Sequence, residues 1–208
     1  MRPAPDYALT YVTDPAAPCG LVETAVRAAR GGAGVIQLRD KAASDADVAA
    51  MARALIAALA PFGVPLLVND RVGAAKAAGA AGVHLGQGDL SVSEARAALG
   101  PEALIGLTIE TERQLGAVDW DAVDYLGASP LRATATKPDA TAPLGLDGVA
   151  RIVRGARRPV VVIGGVTAAD AAPLKALGAA GLAVVSAIAG AADPEAAARA
   201  LRDAWRRG

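Results

Sequence analysis

Cysteine, histidine and phenylalanine each occur once in the 208 residues, and aromatic side chains make up only 3% of the chain. With Cys19 as the sole thiol, an intrachain disulfide and a multi-thiolate metal site are both excluded. No base lies near Cys19 in sequence, so nothing marks it as a nucleophile. The single histidine, His84, sits among apolar neighbours and reads as a hydrogen-bonded core or rim residue rather than a base. Also missing is any run of about 18 uncharged apolar residues, so the positive mean hydropathy of +0.35 does not signify a membrane span. The amino terminus carries Asp6 where a signal peptide needs apolar residues, and a cytoplasmic protein is the expectation. Lysine plus arginine equal aspartate plus glutamate at 21 each, which excludes a broad basic surface for nucleic acid. A charged ligand must therefore meet a local cluster.

With so few aromatics, 53% hydrophobic residues imply a core of Ala, Val, Leu and Ile, and alanine-faced helices packed on a sheet. Short β-type runs alternate with alanine-rich runs of helical period along the whole chain. The predicted strands are residues 8–13, 34–39, 65–69, 82–85, 104–108, 122–127, 159–163 and 181–185. Between and after them, helices are predicted over 21–31, 44–59, 71–78, 91–99, 111–118, 146–156, 168–177 and 194–205. Ser44, Ser91 and Thr167 stand where helix caps belong. Trp120 and Trp205 read as packing residues. Eight strand-then-helix units with short connections and nearly continuous apolar strands predict a parallel sheet, closed as a single (β/α)8 TIM barrel over residues 1–208. An open doubly wound sheet is the alternative.

In such a barrel the active site lies at the carboxyl ends of the strands. There the polar residues concentrate, while the opposite turns are mostly Gly, Ala and Pro. The second strand, in "VIQLRDK", runs out through Gln37, Arg39 and Lys41. These alternate, so they share a side and with Lys137 could surround a polyanion. Asn69-Asp70 and Asp89 come from adjacent strand ends. Two carboxylates without a surrounding cage suit Mg²⁺ completed by substrate phosphates and water, although Asn69-Asp70-Arg71 could instead cap the following helix. Near the last two helices, Gly164-Gly165 and Val185-Ser186 occupy the usual phosphate position of such barrels. Cations with a carboxylate pair imply a diphosphate, and two phosphorylated small molecules would share one mouth.

The ordered motifs "YVTD" (11–14), "VIQLRDK" (35–41), "LLVNDR" (66–71), "GVHLGQGDL" (82–90), "TATKPDA" (134–140), "VIGGV" (162–166) and "VVSAI" (184–188) resemble those of the thiamine-phosphate synthase family over almost the full length. That resemblance implies a Mg²⁺-dependent transferase of thiamine biosynthesis. It would join hydroxymethylpyrimidine diphosphate to thiazole phosphate, releasing pyrophosphate. It implies that Gln37, Arg39, Lys41, Asn69, Thr108 and Lys137 bind the pyrimidine diphosphate, with Arg39, Lys41 and Lys137 acting on the leaving group. It assigns Mg²⁺ to Asp70 and Asp89. The thiazole phosphate would sit on Thr134, Ala135, Thr136, Gly165, Val185 and Ser186. Two departures stand out. Ser129 replaces a Gly and Arg132 an aromatic in the loop after strand six, where Arg132 is expected to face solvent, and Glu110 stands where many relatives carry His. The rival readings are a thiazole tautomerase-like isomerase and a non-catalytic phosphate-binding barrel. An exposed apolar helix face would support a homo-oligomer, but the sequence does not place one.

Overall fold

The computed structural model describes residues 5–134 and 142–208. The strands are β1 (Leu9–Val12), β2 (Val35–Leu38), β3 (Leu66–Asn69), β4 (Gly82–Leu85), β5 (Leu104–Ile109), β6 (Tyr125–Ala128), β7 (Val160–Val162) and β8 (Gly181–Val184). All neighbours pair in parallel in chain order. The ring closes where Leu9, Thr10 and Tyr11 of β1 register with Leu182, Ala183 and Val184 of β8. Closure of the sheet is as predicted, and the open doubly wound alternative falls.

The helices are α1 (Leu21–Arg30), α2 (Asp45–Leu59), α3 (Val72–Ala78), α4 (Val92–Leu99), α5 (Gly145–Gly155), α6 (Ala171–Ala176), α7 (Ser186–Ala189) and α8 (Pro194–Arg207). Ser44 and Ser91 cap α2 and α4 as expected, each hydroxyl accepting an amide N–H three residues on, from Asp47 and Glu94. Three sequence predictions fail locally. Within residues 111–118 a 3-10 helix forms, Glu112–Ala117, because that stretch fully buries no residue and packs only Leu115 on the core, too narrow an apolar face to support α-helical turns. The sixth strand begins at Tyr125 rather than Ala122, since the Asp119 carboxylate accepts from the amides of Asp121 and Ala122 and holds them in a turn. The single turn of α7 was not foreseen. No helix among the described residues is long and apolar enough to cross a membrane.

Two apolar regions follow from the strand alternation. Outward-facing residues such as Leu9, Ile36, Val68, Leu85, Ile105, Leu126 and Leu182 pack against alanines 25, 28, 52, 75, 95 and 198 on the helices. Alanine lets the helices approach the wall closely, which is how a core with so few aromatics reaches close packing. Trp205 is buried in this layer, and Trp120 packs against it from a partly buried position. The inward set is smaller: Tyr7, Val35, Leu67, Leu104, Tyr125, Val161 and Ala183 fill the lower barrel. Above them the inward positions turn polar, with Gln37 two residues after Val35, Asn69 after Leu67, and Thr108 four after Leu104. This change places chemistry at the carboxyl ends.

Ile36 is fully buried between wall and helices. Ile36→Ala is expected to lower unfolding free energy by about 3 kcal/mol, read as a shifted urea midpoint at unchanged slope.

Candidate active site

A cavity of about 460 Å³ opens at the carboxyl ends of the strands. Every predicted site residue that lies among the described residues lines it: Gln37, Arg39, Lys41, Asn69, Asp70, Asp89, Thr108, Thr134, Gly165, Val185 and Ser186. Ala135, Thr136 and Lys137 lie outside the described residues. A wider depression of about 940 Å³ indents the opposite rim, where Gly, Ala and Pro predominate and Asp6 is paired to Arg202. It gathers none of these groups, and the chemistry belongs to the smaller cavity.

Each side chain owes its place to a local device. The regular part of β2 stops at Leu38, so only Gln37 lies on the strand, and Arg39 and Lys41 occupy the loop beyond it. This corrects the expectation that all three alternate along one strand. The loop is fixed instead by hydrogen bonds. The Arg39 amide donates to Thr13 Oγ1 at 3.0 Å, and the Asp40 carboxylate accepts from the amides of Ala42 and Ala43 at 2.9 and 3.1 Å. Arg71 completes the support, pairing with Asp45 at 2.6 Å and donating to the Lys41 carbonyl at 3.2 Å.

Asp70 is the only described non-glycine residue with positive φ, at 60°. Aspartate tolerates this left-handed conformation at a cost of roughly 1–2 kcal/mol. No side chain caps the start of α3, so the helix-capping reading of Asn69-Asp70-Arg71 is not realised. The backbone reversal places Asp70 beside Asp89, whose Oδ2 accepts from the Gly86 amide at 2.7 Å. Burial, reinforced by the hydrogen bond and charge of Asp89, pushes the Asp70 carboxyl up to about 6, while Lys41 and Arg39 pull it partly back. Two carboxylates crowded together in this way are a donor set for a divalent cation. Among the described residues no third His, Cys, Asp or Glu joins them, so a cation here would draw further ligands from substrate or water.

Across the mouth, the segment after β6 extends the pairing with β7: the amides of Leu131 and Arg132 donate to the carbonyls of Ile163 and Gly164 at 2.8 and 2.9 Å. The family model described as thiamine monophosphate synthase matches residues 9–188. The chain belongs to the thiamine monophosphate synthase family. Thiamine-phosphate synthase of Xanthobacter autotrophicus is 48% identical over 201 residues, 96% of this chain and 95% of that protein. The enzyme of the same name from Azorhizobium caulinodans is 47% identical over 199 residues, 95% and 94% of the two chains. Among solved structures, thiamine phosphate pyrophosphorylase from Pyrococcus furiosus matches with a TM-score of 0.88 at 31% identity, covering 97% of this chain and 96% of that one.

In this member of the thiamine monophosphate synthase family, the Arg132 side chain is exposed, as expected, but it is also anchored. Its guanidinium forks onto the Asp170 carboxylate at 2.8 and 2.5 Å and donates to the Gly165 carbonyl at 3.1 Å. Asp170 is 5% exposed and also accepts from the Thr167 amide and hydroxyl. Arg132 hydrogen bonds lead the effects that hold its carboxyl below the usual range. A carboxylate this buried needs a counter-charge, which Arg132 supplies from a side chain that stays about half exposed. The pair thus clamps the Gly165 corner to the strand-six loop. Glu110 also lines the cavity, as do Thr10, Gln87 and Tyr125, which the sequence reading did not assign to the site. For Thr10 and Tyr125 a signal existed: each lies two residues before another inward position, Val12 and Gly127.

The Asp70 carboxyl, raised above its ordinary 3.8, favours the fold when protonated. That contribution is complete below 3.8 and is lost as pH rises through about 6. Asp70→Asn, whose side chain also tolerates positive φ, is expected to raise the Tm of the metal-free protein at pH 8. The gain should close as pH falls from 6 towards 4. A lower Tm for the variant at pH 8 would contradict the crowded-carboxylate reading.

Proposed function

We propose that the protein is a thiamine-phosphate synthase, transferring the pyrimidinylmethyl group of hydroxymethylpyrimidine diphosphate to the nitrogen of thiazole phosphate in thiamine biosynthesis. The observation that carries this reading is the convergence, in one cavity, of the cations Arg39 and Lys41, the carboxylates Asp70 and Asp89, and the small-residue corner of Gly165 and Ser186. The first two sets suit a diphosphate, and the third a separate phosphate. The names of the relatives support the same reading.

In this reaction a C–N bond forms as the C–O bond to the diphosphate breaks, and the electron pair departs on pyrophosphate. The attacking ring nitrogen carries no proton, so neither a protein nucleophile nor a strong general base is required. Arg39 and Lys41, with Lys137, stabilise the charge that grows on the leaving group by preorganised electrostatics. Gln37, Asn69 and Thr108 orient the pyrimidine. Thr134, Ala135, Thr136, Gly165, Val185 and Ser186 hold the thiazole phosphate, so both reactants are fixed in line at high effective concentration. Asp70 and Asp89 would hold Mg²⁺, which when bound neutralises charge on the diphosphate.

The test is formation of thiamine phosphate from the two substrates, with Mg²⁺ and again with excess EDTA. Product is expected only with the metal. Asp89→Asn and Lys137→Ala are expected to lower turnover by about a hundredfold or more without lowering the urea midpoint. Binding of both substrates without product would overturn the assignment in favour of a non-catalytic barrel.

A further inference from the structure

Two glycines on the inner face of the barrel make room for an internal hydrogen-bond chain. A Cβ on Gly106 would fall 2.2 Å from Cζ of Tyr125 and 2.5 Å from Nδ1 of His84, and one on Gly127 would fall 2.9 Å from Cε1 of His84. The imidazole therefore lies across positions where β5 and β6 carry no side chain. Its Nδ1 is 2.7 Å from the Tyr125 hydroxyl and its Nε2 is 2.9 Å from Thr108 Oγ1. Tyr125 is 3% exposed, and burial raises its phenol well above its ordinary range, so it keeps its proton. The Gln37 side chain also reaches this phenol.

A buried phenol must place its proton on an acceptor. With Nδ1, at 2.7 Å, as that acceptor, Nδ1 carries a lone pair. In a neutral imidazole the hydrogen consequently sits on Nε2 and is donated to Thr108. With its oxygen engaged as acceptor, Thr108 has its own hydroxyl proton left for a partner on the cavity side.

We propose that His84 is a positioning residue, a fixed Nε2–H tautomer that makes the Thr108 hydroxyl a donor facing the cavity and so selects a first substrate whose heteroaromatic ring offers a nitrogen lone pair. This rests on the placement of the pyrimidine at Thr108 under the proposed function. The opposite polarity would send the Tyr125 proton to the Gln37 amide oxygen and leave Thr108 as an acceptor from substrate.

Because His84 is the only histidine, ¹⁵N-histidine labelling gives one imidazole and an unambiguous NMR reading of both nitrogens. In the substrate-free and metal-free protein the expected result is an unprotonated Nδ1 and a protonated Nε2. A predominant form with a proton on Nδ1 overturns the proposal, and the measurement needs no turnover. In steady-state kinetics, Thr108→Val is expected to raise KM for the pyrimidine diphosphate roughly tenfold, the worth of about one hydrogen bond. KM for the thiazole phosphate should hold. Tyr125→Phe should produce a several-fold rise of the same kind in the wild-type background and none in the Thr108→Val background. An equal rise in both backgrounds also overturns the relay. If the wild-type protein makes no product, the proposed reaction falls while the tautomer still decides the role of His84.

Discussion

Closure of the sheet through the β1–β8 pairing is the constraint on which everything else depends. With parallel neighbours all round and both faces covered, each strand must send alternate residues inward and outward, and a slip of one residue would exchange the two sets. Registers such as Val35 opposite Thr10 and Val161 opposite Gly127 therefore fix more than packing. They decide that Gln37, Asn69, His84 and Thr108 rise into one cavity instead of being pressed against alanine-faced helices.

The mouth so formed is built from groups that are individually unfavourable. Asp70 occupies a left-handed backbone conformation and shares its surroundings with another carboxylate. Asp170 is a nearly buried carboxylate that depends on the half-exposed Arg132 for its counter-charge. The outer alanine and aliphatic layer carries stability, whereas the rim gathers Arg39, Lys41, Asp70 and Asp89 around one cavity. Local strain concentrated at a ligand-facing edge, on an otherwise regular barrel, is the pattern expected where conformational cost is tied to chemistry.

Much of this was legible in the sequence because it rests on short-range pattern. The alternation of β-type and alanine-rich runs determines the barrel, and the polar residues at strand ends mark its working face. Gln37, Asn69, Asp70, Asp89 and Ser186 could be assigned to that face from position alone. What the sequence did not reveal depends on partners far along the chain. Arg132 finds Asp170 across 38 residues, and His84 meets Tyr125 across 41. The support of Lys41 by Arg71 spans 30. No periodicity encodes such meetings, which exist only once adjacent strands have set their register. The short turn at residues 112–117 escaped for a different reason: its composition favours a helix, but Leu115 alone anchors it to the core.

The separation of the two apolar regions has a consequence for descent. Residues that line the mouth contribute little to the layer between wall and helices, so substitutions among them are largely decoupled from the packing that keeps the chain folded. A lineage can then explore new ligands at the strand ends while its scaffold stays constant. Arg132 illustrates the point: it is held at the mouth by Asp170, the same carboxylate that braces the Thr167 turn, and takes no part in the packed layer.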